Sequence, residues 1–181
     1  MNLLSYRAAR QFMRSGDLLC TDTPGLLQWG IRAVTRSDVS HTAGIIELSS
    51  CGTRRLFVAE ATRDRGVQLV ALSTWMQQRK RGAIYWWPSG MTGRERDRYA
   101  DAVQAKVGMR YESDWWMLTR VALHLPPPSN SRWFCSELDA HGRRAAQPEK
   151  FRALWPIGKA VWPADSARAY GGIKAATQVC P

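Results

Sequence analysis

The chain has 181 residues, enough for one domain with a proper hydrophobic core and no disulfide staples, and too few for two full domains. It carries 26 Lys and Arg against 15 Asp and Glu, a formal +11, but the excess is arginine scattered through every segment. That argues against a specific nucleic-acid groove and leaves room for weak attraction to anionic polymers or lipid head groups.

The cysteines, Cys20, Cys51, Cys135 and Cys180, form no close pair and no Cys-x-x-Cys, so neither a zinc knuckle nor a redox dithiol is suggested, and a reduced compartment is the simplest setting. Met1 to Leu19 spaces Arg7, Arg10 and Arg14 through the stretch and lacks the continuous apolar core of a signal peptide. No segment approaches the roughly twenty apolar residues of a membrane span. A cytoplasmic location is expected, with export by another route left open.

From Leu3 to Met13 apolar residues fall at helical spacing, which predicts a short amphipathic helix. Gly16-Asp17 breaks it, and Leu18-Leu19-Cys20 predicts a brief strand. Thr23-Pro24 offers a cap and first-turn proline to a helix through Leu26, Leu27, Ile31 and Val34. Two apolar runs, Val39 to Leu48 and Leu56 to Ala61, flank the turn-rich Ser49-Ser50-Cys51-Gly52 and predict a β-hairpin. A turn at Ser50-Cys51 would set His41 directly across from Glu60; a turn at Cys51-Gly52 would set them diagonal. Either register leaves both side chains on one face, with β-carbons about 5 to 8 Å apart.

Gly66 to Val70 predicts another strand, Ser73 a cap for a short basic helix ending near Arg81, and Ala83 to Trp87 an aromatic strand stopped by Pro88. Thr92 and Glu95 have capping-box spacing, opening a helix to Gly108 with Tyr99, Val103 and Val107 on one stripe. Ser113 would cap a further helix through Leu125, which Pro126-Pro127-Pro128 ends. Cys135 then stands in the first turn of a helix running to Ala146, and the segment beyond Pro148 reads as a wrapping tail with little regular structure. One domain is expected over 1–181, its core at about 16–165.

Chemistry concentrates on Cys135. Unpaired N–H groups and the positive end of the helix macrodipole favour thiolate over thiol in a first helical turn. The competing reading is a small buried apolar residue, as most free cysteines are. A thiol nucleophile needs a base near neutral pKa and a polar group to hold that base's tautomer; His41 and Glu60 on neighbouring strands could supply both. Glu60 could instead pair with Arg63 or Arg65. His141 lies six residues into the Cys135 helix, where it points away from the sulfur; His124 precedes the prolines; Glu47 shares the face of His41 at the far end of the strand. Trp86-Trp87 and Trp115-Trp116 are read as core rather than groove.

The ordered set Gly16-Asp17-Leu18-Leu19, Ser40-His41-Thr42-Ala43-Gly44-Ile45, Val58-Ala59-Glu60-Ala61-Thr62 with Gly66-Val67, Tyr111, and Trp133-Phe134-Cys135-Ser136-Glu137-Leu138 resembles the circularly permuted NlpC-like cysteine hydrolases of the YiiX and YaeF group. The resemblance spans about residues 16–165, with Glu112 where Asp would be expected. It implies an α+β, permuted papain-like core: a small antiparallel sheet packed on helices that include the one starting at the nucleophile. It also implies Cys135 as nucleophile, His41 as general base and Glu60 as orienting residue, with no metal or cofactor. The implied substrates are peptide or acyl-amide bonds, including peptidoglycan-derived ones. Two alternatives stay open: a thiol acyltransferase or lipid-ester hydrolase at a membrane surface, and a catalytically inactive basic binding protein with the same fold.

Overall fold

The computed structural model describes residues 2–22, 24–79, 82–111, 133–156 and 161–181. Seven strands form one sheet: β1 (Asn2–Ser5), β2 (Leu18–Thr21), β3 (His41–Ser50), β4 (Thr53–Thr62), β5 (Gly66–Ala71), β6 (Ile84–Trp87) and β7 (Thr177–Cys180). Their spatial order is β1-β7-β6-β2-β3-β4-β5, antiparallel except for the parallel β1–β7 pair. The helices among the described residues are α1 (Tyr6–Arg10), α2 (Leu26–Thr35), α3 (Leu72–Gln78), α4 (Gly93–Gln104), α5 (Cys135–Ala146), α6 (Pro148–Leu154) and α7 (Pro163–Arg168). This is the expected α+β architecture, with a sheet wider than a small hairpin-based one.

Both faces of the sheet are covered, which is why its central strands read as unbroken apolar runs. In β6, Ile84 and Trp86 join one core with Leu72, Trp75 and Met76 of α3, while Tyr85 and Trp87 join another beside Ala167 of α7. A third core sets Ile46, Ala59 and Ala61 of the hairpin against Tyr99 and Val103 of α4 and Leu138 of α5. Trp86 and Trp87 are therefore core, as expected, and each indole N–H has a partner: Asp17 Oδ2 at 3.0 Å for Trp86 and the Gly172 carbonyl at 3.1 Å for Trp87. Asp17, itself buried, also accepts from the backbone N–H groups of Arg14 and Ser89.

The hairpin forms with Ser50 opposite Thr53, so the turn is Cys51-Gly52, and both turn residues have positive φ, 48° and 73°. That is the turn whose twist matches paired strands. The capping box at Thr92 and Glu95 also forms as read. Several local expectations change. Leu3 and Leu4 lie in β1 rather than in a helix, because the C-terminal strand gives them a backbone partner that outweighs local periodicity; the helix is only Tyr6–Arg10, capped by Ser5. The tail beyond Pro148 is regular, with α6, α7 and β7, and Val179 reaches the core. Ser73 lies inside α3, whose N-cap is Ala71. Helix α4 stops at Gln104, so Val107 falls outside it and is exposed.

Gly25 rather than Thr23 is the N-cap of α2. Thr23 and the side chains of Leu26, Leu27, Ile31 and Val34, on which the expected buried face rests, lie outside the described residues, as do Glu112, His124, Trp115-Trp116 and all of the segment expected to be helical from Ser113 to Leu125.

Helices α4 and α5 cross closely because Gly142 has no side chain: a β-carbon there would lie 2.7 Å from both Tyr99 Cε2 and Val103 Cγ2. At an open helical position Gly→Ala stabilises by up to about 1 kcal/mol. Here the sign is expected to reverse, with Gly142→Ala destabilising by about 1–3 kcal/mol through overpacking. Equilibrium denaturation measures it, and a more stable variant would contradict the packing described.

Candidate active site

The site lies where the β3–β4 ladder ends. The last paired residues are Gly44 and Ala59; beyond them β4 continues along β5, with Glu60 opposite Gln68, while β3 stays paired with β2, with His41 opposite Thr21. The two strands part over His41–Ala43 and Glu60–Thr62. Continued, the hairpin register sets His41 diagonal to Glu60, and the side chains close the gap: His41 Nε2 lies 2.9 Å from Glu60 Oε2.

The N-terminus of α5 meets this opening. Phe134, extended at φ −87° and ψ 159°, delivers the chain, and Cys135 begins the helix. The Phe134 N–H is met by Glu137 Oε2 at 3.5 Å. The Phe134 ring packs edge-on against Tyr111, whose own backbone bridges to Trp133. Cys135 Sγ accepts hydrogen bonds from the backbone N–H groups of Thr42 and Ser136, and its other hydrogen-bond partner is the His41 ring. With Nε2 on Glu60, it is Nδ1 that remains for the sulfur. Cys135, His41 and Glu60 thus stand together, brought from α5, β3 and β4.

Their electrostatics are those of an ion pair. Burial alone would push the Cys135 thiol up; the His41 cation and the two backbone N–H donors outweigh it and bring the thiol below its ordinary value. Burial alone would lower His41, but the adjacent Cys135 sulfur and Glu60 carboxylate raise it to about 9. Burial likewise opposes ionisation of Glu60, which His41, Arg79 and the Trp75 indole N–H reverse, to about 2. The carboxylate is 2% exposed and the imidazole 16%, so little water screens the group.

Three partners of Glu60 were not anticipated from the sequence: Trp75, Arg79 and Gln68. Trp75 Nε1 and Arg79 Nη2 donate to Oε2 at 2.9 and 2.6 Å, and Gln68 Nε2 donates to Oε1 at 3.2 Å. The only hint was a lone polar Gln68 in the apolar run Val67 to Ala71. Arg63 and Arg65 are not among the partners of Glu60; Arg65 pairs with Asp64.

The rival groups stand elsewhere. Glu47 pairs with Arg54 at 2.9 Å. His141 packs edge-on against Trp133, and burial together with Lys106 and Arg144 lowers its pKa. All four cysteines are free; Cys20 is fully buried and burial raises its thiol, whereas Cys51 and Cys180 are exposed.

Residues 13–141 match the profile of a family described as permuted papain-like amidase enzymes, YaeF/YiiX, C92. No curated protein sequence matches the chain. Among solved structures the chain is similar to the metalloprotein YiiX of Escherichia coli O157:H7, with a TM-score of 0.60 and 16% identity over 93% of this chain and 97% of that one. At that identity the likeness carries the fold alone. The family match, by contrast, covers most of the chain and runs from just before β2 into the cysteine helix: the protein belongs to the permuted papain-like amidases of the YaeF/YiiX, C92 family.

Proposed function

We propose that the protein hydrolyses peptide or related amide bonds through a thioester-type acyl-enzyme, with Cys135 as nucleophile, His41 as general base and acid, and Glu60 orienting His41. The observation that carries this reading is the His41 ring held between the Glu60 carboxylate, at 2.9 Å, and the sulfur at the head of α5. Glu60 holds the tautomer that aims Nδ1 at the sulfur, and the resulting thiolate is the reactive form.

In the cycle, His41 takes the thiol proton and the thiolate attacks the substrate carbonyl. The tetrahedral intermediate collapses as the C–N bond breaks and His41 gives its proton to the leaving amine. Water then attacks the acyl-enzyme as His41 takes one of its protons; the carboxylic acid leaves and the thiolate is restored. The backbone N–H of Cys135 at the helix start is the proposed oxyanion donor. Cell-wall-type peptides are the proposed substrate class, following the family. The fold neighbour is described as a metalloprotein, but among the described residues no three His, Cys, Asp or Glu side chains group as a metal would require. The proposed cycle uses no metal. No helix among the described residues is long and apolar enough to cross a membrane.

The test is iodoacetamide mapping of the four cysteines by mass spectrometry, followed by assays on peptidoglycan fragments and acyl-lipid vesicles. Cys135 is expected to react at pH 6 at least about tenfold faster than the exposed Cys51 and Cys180. Equal rates at the three positions would remove the enzymatic reading. Cleavage of lipid esters with none of peptide amides would select the lipid alternative.

A further inference from the structure

Glu60 binds more donors than the orientation of one imidazole requires. Its Oε2 accepts from His41 Nε2 at 2.9 Å, Trp75 Nε1 at 2.9 Å and Arg79 Nη2 at 2.6 Å, and its Oε1 accepts from Gln68 Nε2 at 3.2 Å. Trp75 and Arg79 lie four residues apart on the α3 segment, and the guanidinium stacks 4.0 Å from the centre of the indole. Trp75 is fully buried and the Arg79 side chain is only 16% exposed. A permanent cation is therefore pinned to the same oxygen atom that holds His41, where solvent screens it weakly.

This placement answers a difficulty in the cycle. His41 must be a cation to protonate the leaving amine, yet neutral to take a proton from water at the acyl-enzyme. A buried carboxylate acting alone would hold the imidazolium too firmly for the second task. A guanidinium on that carboxylate repels the imidazolium and offsets part of the pull. Trp75 and Gln68 give direction without charge, so the charge effect belongs to Arg79.

We propose that Arg79 is a positioning residue that balances the charge of Glu60, so that His41 is oriented by a carboxylate whose hold on its proton is partly cancelled. The proposal rests on the catalytic roles assigned above. Among the described residues, the charged and titratable groups facing the Glu60–His41 pair are Cys135 from α5 and Arg79 from the C-cap of α3; Gln68 from β5, Trp75 from α3 and the Thr42 N–H from β3 are neutral.

The test is made in a Cys135→Ala background, which removes the sulfur from the titration, by following the His41 imidazole nitrogens in NMR and assigning them by their loss in His41→Ala. Arg79→Gln retains an N–H donor but not the charge; Arg79→Lys retains the charge. Removing a cation beside an imidazolium favours the protonated ring. Arg79→Gln is therefore expected to raise the His41 midpoint by about one pH unit, and Arg79→Lys to move it by no more than a few tenths. In the protein that keeps Cys135, the acid limb of deacylation should move upward with it.

An unchanged or lowered midpoint in a folded Arg79→Gln protein overturns the proposal, as do equal shifts in the Gln and Lys variants. A purely structural role would lower rate or stability without raising that midpoint. Should Arg79→Gln not fold, Arg79→Met, which keeps the stem over Trp75, is read the same way. Failure of the catalytic reading is distinguishable, because it shows as an unreactive Cys135 in the wild-type chain whatever His41 does here.

Discussion

Replacing Cys135 by alanine is expected to lower amide hydrolysis by about 10⁴-fold or more while leaving the fold intact. The magnitude follows from the proposed mechanism: without the sulfur no covalent intermediate forms, and only binding and oxyanion contacts remain. The stability expectation follows from burial. Cys135 is 7% exposed, and a buried thiolate and imidazolium are held together at the expense of their hydration. Once the sulfur is gone, His41 loses the negative neighbour that helps raise it to about 9, and its pKa falls. The ring then sheds its proton more readily, and what charge it keeps is still paired with Glu60, so the melting temperature should hold or rise. Activity and the His41 titration check the two halves together. Residual hydrolysis within tenfold of wild type would assign the chemistry to another group.

His41→Ala carries the second large effect, on sulfur reactivity rather than on the presence of sulfur. The cation is the first of the influences that overcome burial at Cys135. Without it the thiol returns to its ordinary range or above, and at pH 6 only about three molecules in a thousand or fewer carry a thiolate. Higher basicity makes each remaining thiolate more nucleophilic, which recovers part of the loss. The net expectation is a roughly 10- to 100-fold slower alkylation of Cys135 at pH 6, narrowing as pH approaches 9.

In the wild-type chain the sign for hydrolysis runs from the same pair. The thiolate forms below the ordinary thiol range, and the imidazolium needed to protonate the leaving amine persists until about pH 9, so activity should hold between these limits and fall above the upper one. A rate that kept climbing through pH 9 to 10, as for an isolated thiol, would sink the proposed roles of both residues.

Much of the frame was legible because short-range physics decides it. A tight turn within Ser50-Cys51-Gly52, the Thr92 capping box and the helix starting at Cys135 each depend on residues within a few positions of one another, and the structure settles the turn on Cys51-Gly52. Parity along two strands joined by a tight turn then places His41 and Glu60 on one face, so their proximity followed from counting once the turn was recognised. The terminal segments misled for the opposite reason. Leu3 and Leu4 look helical in isolation, and the tail after Pro148 looks irregular, because the strand pairing of Asn2–Ser5 with Thr177–Cys180 joins opposite ends of the chain.

What the sequence determined by itself was the candidate nucleophile, its helix, and two polar residues sharing one strand face, since these rest on local propensity and period. The tertiary structure alone decided how α5 enters the parting of β3 and β4, turning the Thr42 N–H and the His41 ring onto one sulfur. It alone brought Trp75, Arg79 and Gln68 onto the Glu60 carboxylate. Ionisation in a buried site depends on distances of a few ångströms between groups far apart along the chain, and no one-dimensional pattern encodes those distances.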